Sequence, residues 1–321
     1  MNCSVVIRAY NEEKHISRLL EGIRHQTLDD VEIVLVDSGS TDGTVPIAES
    51  FGARIVRIPS EEFTFGRSLN FGVRVARREF VVIASAHVYP VYPDWLASLL
   101  HPFVDEKVAL TYGKQRAPRS AKFSEQQIFQ QWYPDASNPR QETAFCNNAN
   151  AAIRRSLWEQ NPYDETLTGL EDLAWAKWAR EQGYAIAYAA EAEVIHVHHE
   201  TPRGVFNRYR REAMAFKRIY PESHFSVYDF ARLTTMNILS DVWHAARERL
   251  LWKSLPSIFW FRLMQFHGTR TGYRQTSLIT PELRETFYYA RERRPGQAAR
   301  RDIEPIRYDD EARVKEERKN H

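Results

Sequence analysis

Ser4-Val-Val-Ile-Arg-Ala-Tyr-Asn-Glu-Glu13 and Ile33-Val-Leu-Val-Asp-Ser-Gly-Ser-Thr-Asp-Gly-Thr44 are the two stretches that decide the fold. Each begins as a short run of apolar, mostly β-branched residues and stops at polar, turn-forming ones. Apolar residues at consecutive positions, rather than alternate ones, suit a strand covered on both faces. Between the two runs, Asn11-Glu12-Glu13 can cap a helix carrying Ile16, Leu19, Leu20 and Ile23 at helical spacing. The pattern continues outward. Val31 to Val36 reads as the second strand, a helix follows through Ile47 and Ala48, and Ala53 to Ile58 reads as a third strand. Another helix runs from about Arg67 to Arg77, and Phe80 to Ala84 forms a fourth strand. Strand–helix–strand repetition at this spacing predicts an α/β fold, a mostly parallel sheet with helices on both faces. Ligands of such sheets sit beyond the carboxyl ends of the strands. Arg8 to Glu12, Asp37 to Asp42 and Ser85 to His87 would therefore share one rim.

From Asn147 the character changes. Asn147-Asn-Ala-Asn150 and Ile153-Arg-Arg precede a helical pattern, and Gly169-Leu-Glu-Asp172 opens a helix with Trp175 and Trp178. Ala185 to Tyr188 and Val194 to Val197 read as two strands. Beyond Thr201 the chain looks helical, and its last thirty residues are densely charged with both signs. The expected organisation is a sheet domain over 1–200, a helical C-terminal appendage over 201–280, and a charged, mobile tail over 281–321.

Composition narrows the function. Forty-four basic against 42 acidic residues leave a net charge of +2, so no global field favours nucleic acid as a partner. Two cysteines are too few for a disulfide framework and fit a reducing compartment. No basic segment followed by an apolar run opens the chain, and no apolar stretch approaches the ~20 residues a spanning helix needs. These features predict a cytoplasmic protein, either free or peripheral on the inner membrane face.

Together with Gly66-Arg-Ser-Leu-Asn-Phe-Gly72 and Gly169-Leu-Glu-Asp172, the two opening stretches resemble bacterial family 2 glycosyltransferases, in order and spacing, over roughly residues 1–200. The resemblance implies a GT-A type nucleotide-binding sheet and inverting sugar transfer from a nucleotide-sugar, with a UDP or dTDP carrier. It would place Arg8, Tyr10, Glu12 and Asp37 on the nucleotide, with Arg67, Asn70 and Ser85 completing the donor site. The residue types suit this. A carboxylate such as Asp37 accepts from a base N–H or ribose hydroxyl, Tyr10 offers a stacking face, and Arg8 a cation for diphosphate. Asp37 to Asp42 also has the composition of a simple polar turn.

One motif departs from the family. Its members usually carry Asp-x-Asp at the end of the fourth strand, where this chain reads Ile83-Ala-Ser-Ala-His-Val88. The resemblance makes His87 a metal ligand, joined by His196 or His198 from His196-Val-His-His199. In an extended segment those two point to one face. Without carboxylates the ion would be Mn²⁺ rather than Mg²⁺. Direct hydrogen bonding of His87 to diphosphate, with no metal, is the alternative.

For chemistry, the resemblance makes Asp172 the base, with Glu171 beside it. A helix N-terminus would keep that carboxylate ionised near neutrality. Asn148 and Asn150, whose amides both donate and accept, suit acceptor hydroxyls. His87, Arg8 and Arg154 could neutralise the leaving group. Arg208, Arg210, Arg211, Lys217 and Arg218 fall on one helix, followed by aromatic segments. They suit either contact with an inner-membrane surface, fitting a lipid-linked glycan acceptor, or a cap that packs on the sheet domain or forms a homodimer. Nucleotidyltransferases and Rossmann dehydrogenases are disfavoured, since no Gly-rich loop follows the first strand. A degenerate family member that binds without turnover is the rival to an enzyme.

Overall fold

A computed structural model describes residues 1–198, 201–274 and 301–308. The first half alternates β1 (Cys3–Ala9), α1 (Glu13–Arg24), β2 (Glu32–Asp37), α2 (Thr44–Ser50), β3 (Arg54–Arg57), α3 (Phe65–Val75) and β4 (Phe80–Ser85). Then come β5 (Val88–Pro90), α4 (Trp95–Leu100), β6 (Val108–Arg116), α5 (Phe123–Trp132), β7 (Asn150–Arg154) and α6 (Arg155–Gln160). The chain continues through α7 (Glu171–Glu181), β8 (Ala185–His196), α8 (Pro202–Ile219), α9 (Val227–Arg247) and α10 (Leu251–Arg274).

The strands form one sheet in the order β3-β2-β1-β4-β7-β6-β8-β5. β3, β2, β1 and β4 are mutually parallel, β7 runs against them, and β6 and β8 resume the first direction. The carboxyl ends of β1, β2, β4, β6 and β8 therefore reach the same rim, where the turn entering antiparallel β7 also lies. Ala185 to Tyr188 and Val194 to His196 prove to be parts of the single long strand β8, and Val197 lies just beyond its end.

Period-two alternation divides the consecutive apolar runs between two cores. Val5, Ile7, Leu35 and Val82 face Ile16, Leu19 and Leu20 of α1 and Trp95 of α4. Val6, Val34, Val36 and Ile83 face Leu69 of α3 and Trp175 of α7. Gly72 lets α3 lie against the sheet, since a Cβ there would strike Val6 and Val36. Trp158 and Trp175 are core residues.

The C-terminal helices are bound closely to this body. α10 crosses α8 at Gly268 and Gly272, where a Cβ would meet the carbonyls of Phe206 and Arg210. Buried Arg262 of α10 holds Asp241 of α9 through Nε–Oδ2 at 2.7 Å and Nη2–Oδ1 at 2.9 Å. Within the charged tail, residues 301–308 are docked rather than mobile. The Arg301 guanidinium grips both oxygens of Asp94, and Tyr308 donates to the Pro90 carbonyl at 2.6 Å. The remaining tail residues, 281–300 and 309–321, lie outside the described residues.

Candidate functional site

The rim opens on a cavity of about 460 Å³ whose walls come from β1, β4, α5, α7 and α8 and the loops between them. Asn11, with φ +54°, turns the chain sharply out of β1, and Asn tolerates this left-handed conformation. Tyr10, 57% exposed, and Glu12 then face the cavity with Arg8. Arg8 lies 3.6 Å from the Glu171 carboxylate and 4.8 Å over the Phe65 ring. Its Nε and Nη1 are buried without a hydrogen-bond partner.

His87, His196 and His198 converge at the inner end, with ligand-capable atoms all within 4.8 Å of one another. Each ring is oriented through Nδ1: His87 by Glu12 at 2.8 Å, His196 by Gln115 at 2.7 Å and His198 by Glu125 at 2.8 Å. An Nδ1–H donating to an oxygen leaves the Nε2 lone pair as the ligand, the arrangement that metal-binding histidines adopt. His196 Nε2 is buried with no partner. Burial holds the His196 pKa well below the usual value, so its ring is neutral and able to ligate. The three nitrogens thus fit a divalent ion. Sequence reasoning identified the histidines but not Gln115 and Glu125, whose elements carry no recognisable motif. His199 lies outside the described residues.

Opposite the histidines, Glu171 and Asp172 open α7. The preceding residue, Leu170, is left-handed at φ +56°, a strained conformation for a branched side chain and one that concentrates at functional sites. Asp172 accepts from the backbone N–H of Asn148 at 2.9 Å and of Leu173 at 2.8 Å. The helix start does not lower its pKa on balance. Burial first, and the Glu171 carboxylate second, push it up to about 7, outweighing the two N–H donors and Arg8.

Several expected site residues serve elsewhere. Asn70 is buried and fully engaged, accepting from Trp158 and Tyr163 and donating to the Tyr163 carbonyl and Glu165. It ties α3 to the loop before α7 and is not a donor ligand. Arg67 pairs with Glu62 at 2.5 Å and lies outside the cavity wall. Asn150 is wholly buried, bonded to Trp95, Lys114 and Ala192, and cannot meet an acceptor. Arg154 is bonded to the carbonyls of Val108, Phe103 and Asp105, away from the site. The Asp37 carboxylate is taken up by the amides of Gly39 and Ser40, so it shapes the turn, while its neighbour Ser38 lines the cavity. Ser85 and Asn148 do line it. Asn148 Oδ1 is buried without a partner.

The basic face of α8 is divided. Arg208 and Arg211 enter the cavity, whereas Arg218 bonds Thr166 and Lys217 is buried. The Arg211 guanidinium stands 4.5 Å over Phe65, on the ring that Arg8 also covers. Arg208 lies 3.3 Å from His198 Nδ1. Two guanidiniums converging on one aromatic ring repel each other, so an anion placed between them would be stabilised.

Comparison with known proteins agrees with this geometry. Residues 4–160 match the model of glycosyl transferase family 2. The O-antigen chain rhamnosyltransferase RfbN of Salmonella typhimurium is 29% identical over 65% of this chain and 70% of its own. The corresponding WbaN of Salmonella anatum is 31% identical over 57% and 62%. Among solved structures, the mannosyltransferase PcManGT of Pyrobaculum calidifontis, in complex with GDP-Man and Mn²⁺, superposes with a TM-score of 0.57 at 20% identity, covering 85% of this chain and 86% of that one. Staphylococcus aureus TarS 1–349 with UDP-GlcNAc gives 0.52 at 18%, covering 86% and 92%. The two structural likenesses are likenesses of fold. With the mixed sheet and its rim cavity, these matches lead to one conclusion: residues 4–160 carry the glycosyl transferase family 2 match on a GT-A fold, and the chain is a glycosyltransferase.

Proposed function

We propose that the chain is an inverting transferase that moves a sugar from a UDP- or dTDP-sugar to a glycan or lipid-linked acceptor in surface polysaccharide synthesis. The observation that carries this reading is the buried Asp172 carboxylate, which shares a cavity with Tyr10, Arg8 and the three histidines. The kinship with two O-antigen rhamnosyltransferases supports the acceptor class.

In this mechanism the nucleotide base stacks on Tyr10 and the diphosphate lies between Arg8, Arg208 and Arg211. Asp172 removes the proton from the acceptor hydroxyl as that oxygen attacks the anomeric carbon from the face opposite the diphosphate. The bond from that carbon to the β-phosphate oxygen breaks, and its electron pair leaves with the nucleotide. The guanidiniums neutralise the charge that develops there. A divalent ion on His87, His196 and His198 would share that neutralisation, and Mn²⁺ suits three nitrogen donors better than Mg²⁺. Glu12, Gln115 and Glu125 hold those rings in place. Asn148 holds Asp172 through its amide and offers its side-chain oxygen to the acceptor. The binding-only alternative gains no support from a site that keeps its base, its cations and its aromatic platform.

The donor site is tested by calorimetric titration of UDP, dTDP and GDP. UDP or dTDP should bind, and Tyr10→Ala should weaken the binding by about tenfold through lost stacking. Equal affinity of the variant would remove Tyr10 as the base platform, and binding of GDP alone would overturn the proposed donor.

A further inference from the structure

The outer face of the α9–α10 hairpin is covered by nothing in the described structure. On α9, Leu239 is 62% and Trp243 53% exposed; on α10, Trp252 is 85% and Phe259 51% exposed. These residues recur at four- and seven-residue steps along each helix, so each helix carries a solvent-facing apolar stripe. The tight turn that joins the helices, closed by left-handed Arg249 at φ +59°, brings both tryptophans near one end of the hairpin. Cations cluster at the same place. Arg247, Arg249 and Lys253 are exposed, and Glu248 is the sole acid between Val242 and Pro256. The Arg247 guanidinium sits 4.6 Å over the Trp243 ring. Two exposed indoles on a turn that also carries three exposed cations match a surface with an apolar interior beneath negative charge. No helix among the described residues is long and apolar enough to cross a membrane, so the contact would be superficial.

We infer that the α9–α10 turn docks the protein on an anionic phospholipid bilayer. The charge pattern favours lipid over a second copy of the chain. In a two-fold pairing through this turn, Arg247, Arg249 and Lys253 would confront their own counterparts, whereas lipid phosphates neutralise them. Docking also has a consequence for the site. α10 is locked to α8 at Gly268 and Gly272, and α8 carries Arg208 and Arg211 into the cavity. The docked hairpin would therefore tether to the bilayer the helix that carries those cations, on the same surface as a lipid-anchored acceptor. The acceptor link rests on the transfer reading, but the docking itself does not.

The test is flotation of the full chain, without donor, with phosphatidylcholine vesicles that contain or lack phosphatidylglycerol. The protein should float with the anionic vesicles, and added salt should release it. Trp243→Ser/Trp252→Ser and Arg249→Glu/Lys253→Glu should each lower the bound fraction by about tenfold or more. Because these side chains are exposed, thermal melts should match the wild type. A chain that ignores anionic vesicles, or variants that float like the wild type, would overturn the inference. So would a wild-type dimer in light scattering that the tryptophan variant dissociates, since the second copy would then be the occupant. Failure of sugar transfer would leave these results unchanged.

Discussion

Asp172→Asn should lower turnover by about a thousandfold while leaving nucleotide affinity unchanged, because it removes the proton acceptor and little else. Asparagine keeps the shape, and its one side-chain oxygen can still accept from the Asn148 N–H, so the loop before β7 should hold its place while the Leu173 N–H loses its side-chain acceptor. Steady-state transfer, read beside a UDP titration, separates the two effects. Retained turnover would eliminate Asp172 as base. A joint loss of turnover and binding would mean that the residue is structural. The acid limb of the wild-type pH profile offers an independent reading. With the Asp172 carboxyl pushed up to about 7, activity should fall as pH drops through that value. An ordinary carboxylate, titrating near about 4, would leave activity flat over this range. The sign for stability follows from the same shift. The folded chain binds the Asp172 proton more tightly than the unfolded chain, so this group's contribution is full below about pH 4 and is lost progressively as pH rises to about 7. The melting difference between the asparagine variant and the wild type should accordingly shift in the variant's favour from about pH 4 to about pH 7 and stay constant above it.

His196→Ala should lower Mn²⁺ affinity by about a hundredfold and leave a transferase insensitive to chelator. It removes the central nitrogen of the three, the one whose Nε2 is buried with no partner. His87→Gln, at a more accessible position, is the companion variant and guards against misfolding as the explanation. Mn²⁺ should stimulate the wild type more than either variant. If wild type and variants are equally active in chelator and equally unresponsive to Mn²⁺, the histidines act on the diphosphate directly. Paired ring nitrogens and oxygen acceptors, Glu12 with His87 and Glu125 with His198, make the metal the more economical reading.

What the sequence disclosed, and what it hid, follows from the range of each signal. β1, α1, β2 and β4 were legible because a consecutive apolar run and a helical period are local patterns, and the rim followed from connection rules. His196 and His198 were legible as a pair because alternation persists past the end of β8. Residues 88–146 carried no such pattern. β5 has three residues, β6 shifts from apolar to polar at Gly113, and α5 mixes glutamines with aromatics. Glu125 and Gln115, which orient two of the histidines, were lost with that stretch. Asn70 and Asn150 misled for a different reason. An amide suited to sugar hydroxyls is equally suited to backbone carbonyls, and only packing decides which it meets. The pKa of Asp172 failed as a balance of terms, since the helix start was visible in the sequence but the burial opposing it was not. Arg211 was read as part of a helix face whose orientation toward the sheet no single sequence supplies.

Diffraction near the manganese absorption edge from crystals grown with UDP and Mn²⁺ would locate the ion and the donor together. An anomalous peak bonded to Nε2 of His87, His196 and His198 is expected, with diphosphate against it between Arg8 and Arg211 and uracil on Tyr10. Nucleotide bound outside this cavity, or Asp172 turned away from the bound donor, would rule out transfer at this site.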